Sequence, residues 1–316
     1  ELNASIVSFR KLYNNKFTFG DVDIEGLYFN LKTYKGEKET NMDVFVAKFD
    51  EETPSTSTNR VFLLSSSDVS IVNSVFKLTD ENREDSEVFT FNDLNINATD
   101  FLILGPKVSA RVNTLRFNEQ RGVSVENMST NFAYTREDMT FDRLQIKTKN
   151  STLKGDLKFE YKREDLQYFV DKVKVIATFE DSEIALDDLN TFYNEFGNGL
   201  RVNLDATLLG TLNDLTVNDV KLTNSRQTLI DGDFNFKNIF NKEAHTFVMN
   251  ANFERLRSSY SDLKRLLPNV LGKTLPPIIE NLETFSIEGQ SVITSKIVDA
   301  DIEIATVLGR IVTEFK

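Results

Sequence analysis

The chain has 316 residues, 40% hydrophobic and 27% charged, the composition of a folded protein rather than a disordered one. A formal net charge of −12 argues against nucleic acid and anionic membrane surfaces as partners. The absence of cysteine removes disulfides and thiolate metal sites, and no apolar run approaches the roughly 18 residues of a spanning helix.

The 26 Phe, with no Trp and 8 Tyr, supply apolar area without a polar handle, although an AT-rich genome would give part of the same bias. The length allows two compact domains or one elongated one. A start at Glu1 without a signal-like segment, and an end at Lys316 just past an apolar run, lead us to expect a piece of a longer protein.

Taken in order, the chain reads as strand after strand. Phe17, Phe19, Val22, Ile24, Leu27 and Phe29 alternate, with a phase change across Gly20-Asp21 that predicts a turn. Lys35-Gly36-Glu37 predicts another turn, leading into a strand from Asp43 to Phe49. The polar stretch Glu51 to Asn59 reads as a loop. Val61–Leu64 and Val69–Leu78 are predicted strands, followed by an acidic turn from Asp80 to Glu87. Val88 to Arg121 holds at least three more strands, and Val123–Val125 and Phe132–Tyr134 continue the series.

Met139 to Tyr161 has two alternating runs around a Lys-Asn-Ser turn and predicts a hairpin. Leu144 and Ile146 are the apolar positions of the first run, and Leu153, Leu157, Phe159 and Tyr161 those of the second. Gly155, inside the second run, marks a bulge or a close backbone approach. Val173, Val175 and Ala177 form the next apolar face.

The period then changes. Ile184, Leu186, Leu189, Phe192, Tyr193 and Phe196 recur at spacings of mostly three and four, predicting a helix over 182–196 capped by Asp181 or Ser182 and stopped by Gly197-Asn198-Gly199. Strands resume with Val202, Leu204, Ala206 and Leu208, then Leu215 to Leu222. Thr228 to Phe236, with Phe234 and Phe236, reads as a further hairpin that echoes Thr152 to Phe159 with one inserted residue. Phe247, Met249, Ala251 and Phe253 form another one-faced strand. Tyr260 to Leu282 predicts a second helical insertion with Leu263, Leu266 and Leu267 on one stripe, and the final strands carry Ile302 and Ile304.

Chemistry is hard to find. His245 is the sole histidine and is placed in the polar turn 241–245, since catalytic and metal sites are built from clusters. Asp21 to Gly26 opens like a calcium loop but has Lys32 where a bidentate Glu is needed, and Val22 and Ile24 alternate as in a strand. Asp187-Asp188 lies early in a predicted helix, where carboxylates favour the dipole anyway. We therefore expect no enzyme, no metal and no cofactor.

One-faced strands admit two architectures. Two sheets can cover each other in a sandwich, or one curved sheet can leave its apolar face as an open trough. About a dozen strands at roughly 4.8 Å would make a trough of nearly 60 Å. Its lining far exceeds the few hundred Å² of apolar patch that soluble proteins tolerate, so it would have to be occupied.

From Ser182 onward the sequence resembles the periplasmic part of the AsmA-like TamB family, as found in Bacteroidetes. The features are SEIALDDLNTFY, LDATLLGTLNDLTVNDVKL and TLIDGDFNF, then SDLKRLLPNVLGKTLPPIIENLETFSIEGQ and ATVLGR. Upstream, MTFDRLQIKTKNSTLKGDLKFEY is similar to the family's first repeated hairpin. The resemblance covers roughly 120–316 and rests on hydrophobic spacing with Gly, Asp and Pro.

It implies a mainly β fold in which an elongated, curved, largely antiparallel sheet forms an open apolar groove, with short helical insertions near 182–196 and 260–282. The whole of 1–316 is then one repeat-like segment, with a soft boundary near 179–200. It also implies a bridge-like lipid transfer protein anchored in the inner membrane, carrying phospholipid across the periplasm to the outer membrane. The partners would be phospholipids and, through parts of the chain not present here, a TamA-type outer-membrane barrel and the inner membrane. The groove lining would be Leu144, Ile146, Leu153, Leu157, Phe159, Val173, Val175, Val202, Leu204, Ala206, Leu208, Phe234, Phe236, Phe247, Met249, Ala251, Phe253, Ile302 and Ile304. The alternative is a structural or chaperone-like module that uses exposed sheet edges to aid outer-membrane protein assembly.

Overall fold

The computed structural model describes residues 1–6, 16–44, 62–83, 87–120, 122, 124–191, 196–239, 246–266, 268, 283–294 and 297–315. Among the described residues the protein is mainly β, with 17 strands in open, curved, largely antiparallel sheet and short helices between them. The chain divides into two compact units, Glu1–Lys149 and Asn150–Lys316.

The first unit contains β1 (Leu2–Ile6), β2 (Lys16–Glu25), β3 (Tyr28–Thr33), β4 (Leu63–Asp80), β5 (Glu87–Leu104), β6 (Lys107–Glu119), β7 (Ser124–Tyr134) and β8 (Asp138–Thr148). From β4 to β8 each strand pairs antiparallel with the next. β2 and β3 lie end to end along β4 and parallel to it, β2 against Leu63–Val72 and β3 against Val75–Asp80. β1 adds antiparallel to β2.

The second unit contains β9 (Thr152–Glu160), β10 (Lys174–Ala185), β11 (Arg201–Thr211), β12 (Asp214–Asn224), β13 (Leu229–Lys237), β14 (Val248–Ser258), β15 (Phe285–Thr294), β16 (Val298–Thr306) and β17 (Gly309–Phe315). Each pairs antiparallel with its sequence neighbour. A 3₁₀ turn (Arg163–Tyr168) and α1 (Phe169–Lys172) join β9 to β10, α2 (Leu186–Leu189) follows β10, and α3 (Tyr260–Leu266) follows β14.

Several strands are longer than their apolar runs suggest. β4 joins two predicted strands into one of 18 residues, and β5 is equally long. The runs look broken because non-glycine residues with positive φ sit inside the strands: Asn73, Asp93, Asp100, Arg143, Asp181 and Asp219. Each coincides with a shift of register, so each is a bulge, where one extra residue bends the strand and resets its parity. Asx residues suit this left-handed conformation because a short polar side chain tolerates it.

The neighbouring strand satisfies the displaced backbone. Asp181 N–H donates to Oδ1 of Asp205 (2.7 Å), Asp219 N–H to Oδ1 of Asp233 (3.0 Å) and Asn73 N–H to Oδ1 of Asn95 (3.3 Å). Ser182 and Ser74, each one residue past a bulge, fill the gap on the other side. The Ser182 hydroxyl accepts the Lys154 N–H and that of Ser74 accepts the Leu27 N–H, both at 3.0 Å.

Four segments differ from the sequence reading. Gly20-Asp21 is not a turn: β2 runs through it, and the Ser66 hydroxyl donates to the Gly20 carbonyl at 2.6 Å. The phase change there lies within a continuous strand. The helix over 182–196 is reduced to one turn at Leu186–Leu189, because β10 continues past the Asp181 bulge to Ala185. A bulged strand running into a single turn imitates spacings of three and four; residues 192–195 lie outside the described set.

Thr228 to Phe236 is not a hairpin but the start and body of β13. Its echo of the earlier stretch is structural, since Gly155 (φ +156°) and Gly232 (φ +152°) sit where a Cβ would lie 1.9 Å from the Thr178 carbonyl oxygen and 2.2 Å from that of Asn252. The Asp43–Phe49 strand begins instead in a helical turn over residues 41–44, capped by the Asp43 carboxylate accepting the Thr40 N–H (2.9 Å), and residues 45–49 lie outside the described set.

The two runs of the expected central hairpin are strands. β8 pairs with β7 and β9 with β10, and the Lys-Asn-Ser segment between them is where one unit ends and the other begins. The second helical insertion is observed as α3; 267 and 269–282 lie outside the described residues, as does His245.

Candidate functional site: the apolar faces of the sheet

The ladder registers line apolar residues up across strands. In the first unit, Ile24, Ile71, Ile96, Leu115, Met128 and Ile146 are successive partners from β2 through β4 to β8. All six are half-buried and packed by their row neighbours. Further along β4, Phe29, Phe76 and Phe91 pair in the same way. Their ring centroids are 5.9 and 5.7 Å apart, and Phe117 lies 4.3 Å beyond Phe91. Few of this unit's apolar side chains are buried; Leu94, Ala98, Val125 and Leu144 are.

In the second unit, three rows cross the sheet. Leu157, Ala177, Leu208, Val217, Phe234, Ala251, Ser291 and Ala300 run from β9 to β16. Beside them run Phe159, Val175, Gly210, Leu215, Phe236, Met249, Ile293 and Val298. Leu204, Leu222, Ile230, Leu256, Ile287 and Ile304 form the third row, from β11 to β16.

The expected lining residues fall into this scheme. Leu157, Leu208, Phe234 and Ala251 share one row, Phe159, Val175, Phe236 and Met249 another, and Leu204 and Ile304 the third. Phe253 and Ile302 flank Gly289 between rows. Ala206 packs with Val220, Phe234 and Ala251. Leu153 and Phe247 are half-buried, Phe247 just ahead of β14, and Val173, just ahead of β10, is fully buried. Leu144 and Ile146 belong to the first unit, apart from the rest.

Sequence reasoning named Ile146 but missed the rest of the first unit's row as lining, and also Leu222, Ile230, Leu256 and Ile287. Each sits in a run too short or too interrupted by bulges to stand out. Pairing the predicted strands one against the next would have brought them together.

Part of the second unit's face is covered by its own helices. α3 buries Leu263 against Leu256, Phe285, Ala300, Ile302 and Ile304, and Leu266 against Leu186 of α2 and Val202 of β11. The Gly197 N–H donates to the Leu266 carbonyl (3.0 Å), tying the helix end to the loop after α2. A cleft of about 610 Å³ beside α3 is lined by Gly197, Asn198, Leu200, Tyr260, Ser261, Lys264, Arg265 and Pro268, a set with two cations and no carboxylate. Among the described residues, Leu204, Leu208, Val217, Phe236, Met249 and Ile293 are half-buried and lie outside these helix contacts.

The other face is polar. Asn113 donates to Asn97 (3.0 Å) and Asn250 to Asn235 (3.4 Å), while Asn235 donates to Asp214 (3.0 Å), so amide ladders cross the strands. The Lys158 ammonium beside Glu160 (2.8 Å), with Lys174 behind it, holds that carboxyl below its usual range. Asp21 and Asp23 are exposed on β2, in extended strand rather than a cation-binding loop. Among the described residues, no group of three or more His, Asp or Glu side chains is placed to hold a metal. No described helix is long and apolar enough to cross a membrane.

The arrangement is one wet face and one greasy face on the same sheet. Comparison with known protein families, with curated proteins and with solved structures finds no match.

Proposed function

We propose that this chain is a non-enzymatic segment of a bridge-like lipid transfer protein, in which phospholipid acyl chains lie against the apolar sheet faces. Head groups stay in water at the rim and the lipid slides along the rows passively. The observation that carries this reading is the half-exposed row Ile24–Ile71–Ile96–Leu115–Met128–Ile146. Six strands at ~4.8 Å make a half-exposed apolar floor about 24 Å long, beside the parallel Phe rank. Each methylene laid against such a floor contributes about 0.8 kcal/mol.

The likeness of 120–316 to AsmA-like TamB proteins supplies the setting: a periplasmic segment of a protein anchored in the inner membrane, delivering phospholipid to the outer membrane with a TamA-type barrel as partner.

The test is native mass spectrometry with lipid extraction on the chain expressed in a bacterium and purified without detergent. Phospholipid co-purifies, and Leu204→Asp or Met249→Asp removes it while the sheet stays folded. A lipid-free protein overturns the reading.

A further inference from the structure

The cleft beside α3 has a chemistry that the apolar rows lack. Backbone contacts fix its shape. The loop after α2 is pressed against the end of α3, where the Gly197 N–H donates to the Leu266 carbonyl at 3.0 Å. A Cβ at residue 197 would clash with the Arg265 carbonyl oxygen, so glycine is what allows this approach. The cleft encloses about 610 Å³, within the range of small-molecule sites.

Its described lining holds two cations, Lys264 and Arg265, and no carboxylate. Both side chains are exposed, and neither forms an ion pair with a described residue. The Lys264 ammonium stands 5.8 Å from the Tyr260 ring centroid. Acids on the adjoining helices are engaged elsewhere: Asp262 pairs with Arg226 (3.5 Å), and the Asp187 carboxylate accepts the Gly199 N–H (3.0 Å). The Asn198 amide oxygen accepts from Asn190 (3.2 Å), which leaves the Asn198 amide N–H groups as donors.

Leu200, the Tyr260 ring and Pro268 complete the walls. Leu200 also packs on the core of Leu186, Val202 and Leu266, and so do Leu222 and Ile230 of the third row. The cleft therefore adjoins the apolar face. An occupant that fits it is anionic at one end, apolar beside that charge, and larger than a bare phosphate.

We propose that this cleft binds the head group of an anionic phospholipid, with Lys264 and Arg265 on the phosphate and the first acyl carbons against Leu200 and Tyr260. The inference rests on the lipid-binding reading above and adds to it a head-group site on the second unit. The chain's net charge of −12 repels an extended anionic surface. A single head group in contact with two cations is governed by that pair, because more distant charges are screened.

The test titrates the purified chain with dihexanoyl phosphatidylglycerol, dihexanoyl phosphatidylcholine and inorganic phosphate, each below any micelle-forming concentration. Binding is read from amide NMR shifts. Phosphatidylglycerol is expected to move the Gly197, Asn198 and Ser261 amides and to bind about tenfold more tightly than phosphatidylcholine. Phosphate alone is expected to bind more weakly than phosphatidylglycerol, since it leaves the apolar walls unused. Lys264→Gln with Arg265→Gln brings the ratio of the two lipids to unity with no change in urea midpoint. Each single substitution lowers the ratio about threefold, which serves as the readout if the double variant does not fold.

Equal affinity for the two lipids in the wild type, or a preference that survives the substitutions, overturns the proposal. So does phosphate that binds as tightly as phosphatidylglycerol, or lipid that shifts the amides of Phe236 and Met249 and leaves those of Gly197 and Asn198 in place. In that last case the lipid-binding reading stands without the head-group site. Binding of neither lipid overturns the proposal too, and co-purification of phospholipid then decides the lipid-binding reading by itself.

Discussion

Leu115→Asp separates an apolar face that meets solvent or ligand from one that is covered by protein. Leu115 is half-buried at the middle of the first unit's row, between Ile96 and Met128. Losing that partial burial costs about 1–1.5 kcal/mol, half of what full burial of a leucine contributes. Asp is also a poor strand residue, by up to ~1 kcal/mol. Because the face is open, the carboxylate keeps most of its hydration, and the expected loss is about 2 kcal/mol in all. A domain stable by ~5–15 kcal/mol survives that.

In a sandwich core the same carboxylate would be buried without a partner, and the loss would exceed ~4 kcal/mol. Urea titration followed by far-ultraviolet circular dichroism gives the midpoint and slope, with Phe285→Ala as the internal reference. Phe285 is 2% exposed under α3, and its truncation is expected to cost about 3–5 kcal/mol. If Leu115→Asp costs as much as Phe285→Ala, the reasoning from an uncovered face is wrong.

The geometry sets two further outcomes. Gly232→Ala places a methyl 2.2 Å from the Asn252 carbonyl oxygen at φ +152°, so β13 and β14 must separate; a loss above ~2 kcal/mol is expected, whereas Gly122→Ala, with nothing within 4 Å, costs only its backbone term. A Gly232→Ala chain with unchanged amide protection across β13–β14 would contradict this. The Lys32–Glu81 ion pair, with the Lys35 N–H, holds the Glu81 carboxyl below the usual glutamate value of 4.5. Its contribution is therefore present above that value and is lost as pH falls through the lowered one. Carboxyl-resolved NMR titration should show Glu81 moving up in Lys32→Gln; an unmoved midpoint would mean the pair is not formed in solution.

Much of the second unit was legible in the sequence because its strands alternate cleanly and pair in chain order. Leu204, Phe234 and Met249 declared a face, and the structure ranks them in rows. In the first unit, stretches that form single long strands were read as several shorter ones. Asn73 and Asp93 look like loop residues, yet each sits in the left-handed conformation inside an 18-residue strand and flips the parity of the residues after it. The same device made 182–196 look helical.

From β9 to β17 every strand is hydrogen-bonded to the next one in the sequence. Such an arrangement assembles by short-range closure, one hairpin templating its successor, with little loop entropy to overcome. Stability then accrues from neighbour to neighbour, as it does in stacked repeats. Removing or duplicating a whole hairpin in its interior leaves every other pairing intact. Reach therefore becomes a quantity that duplication and deletion adjust in steps of about 10 Å, two strand spacings at a time. A span set in this way changes in length without redesign of the rows that cross it.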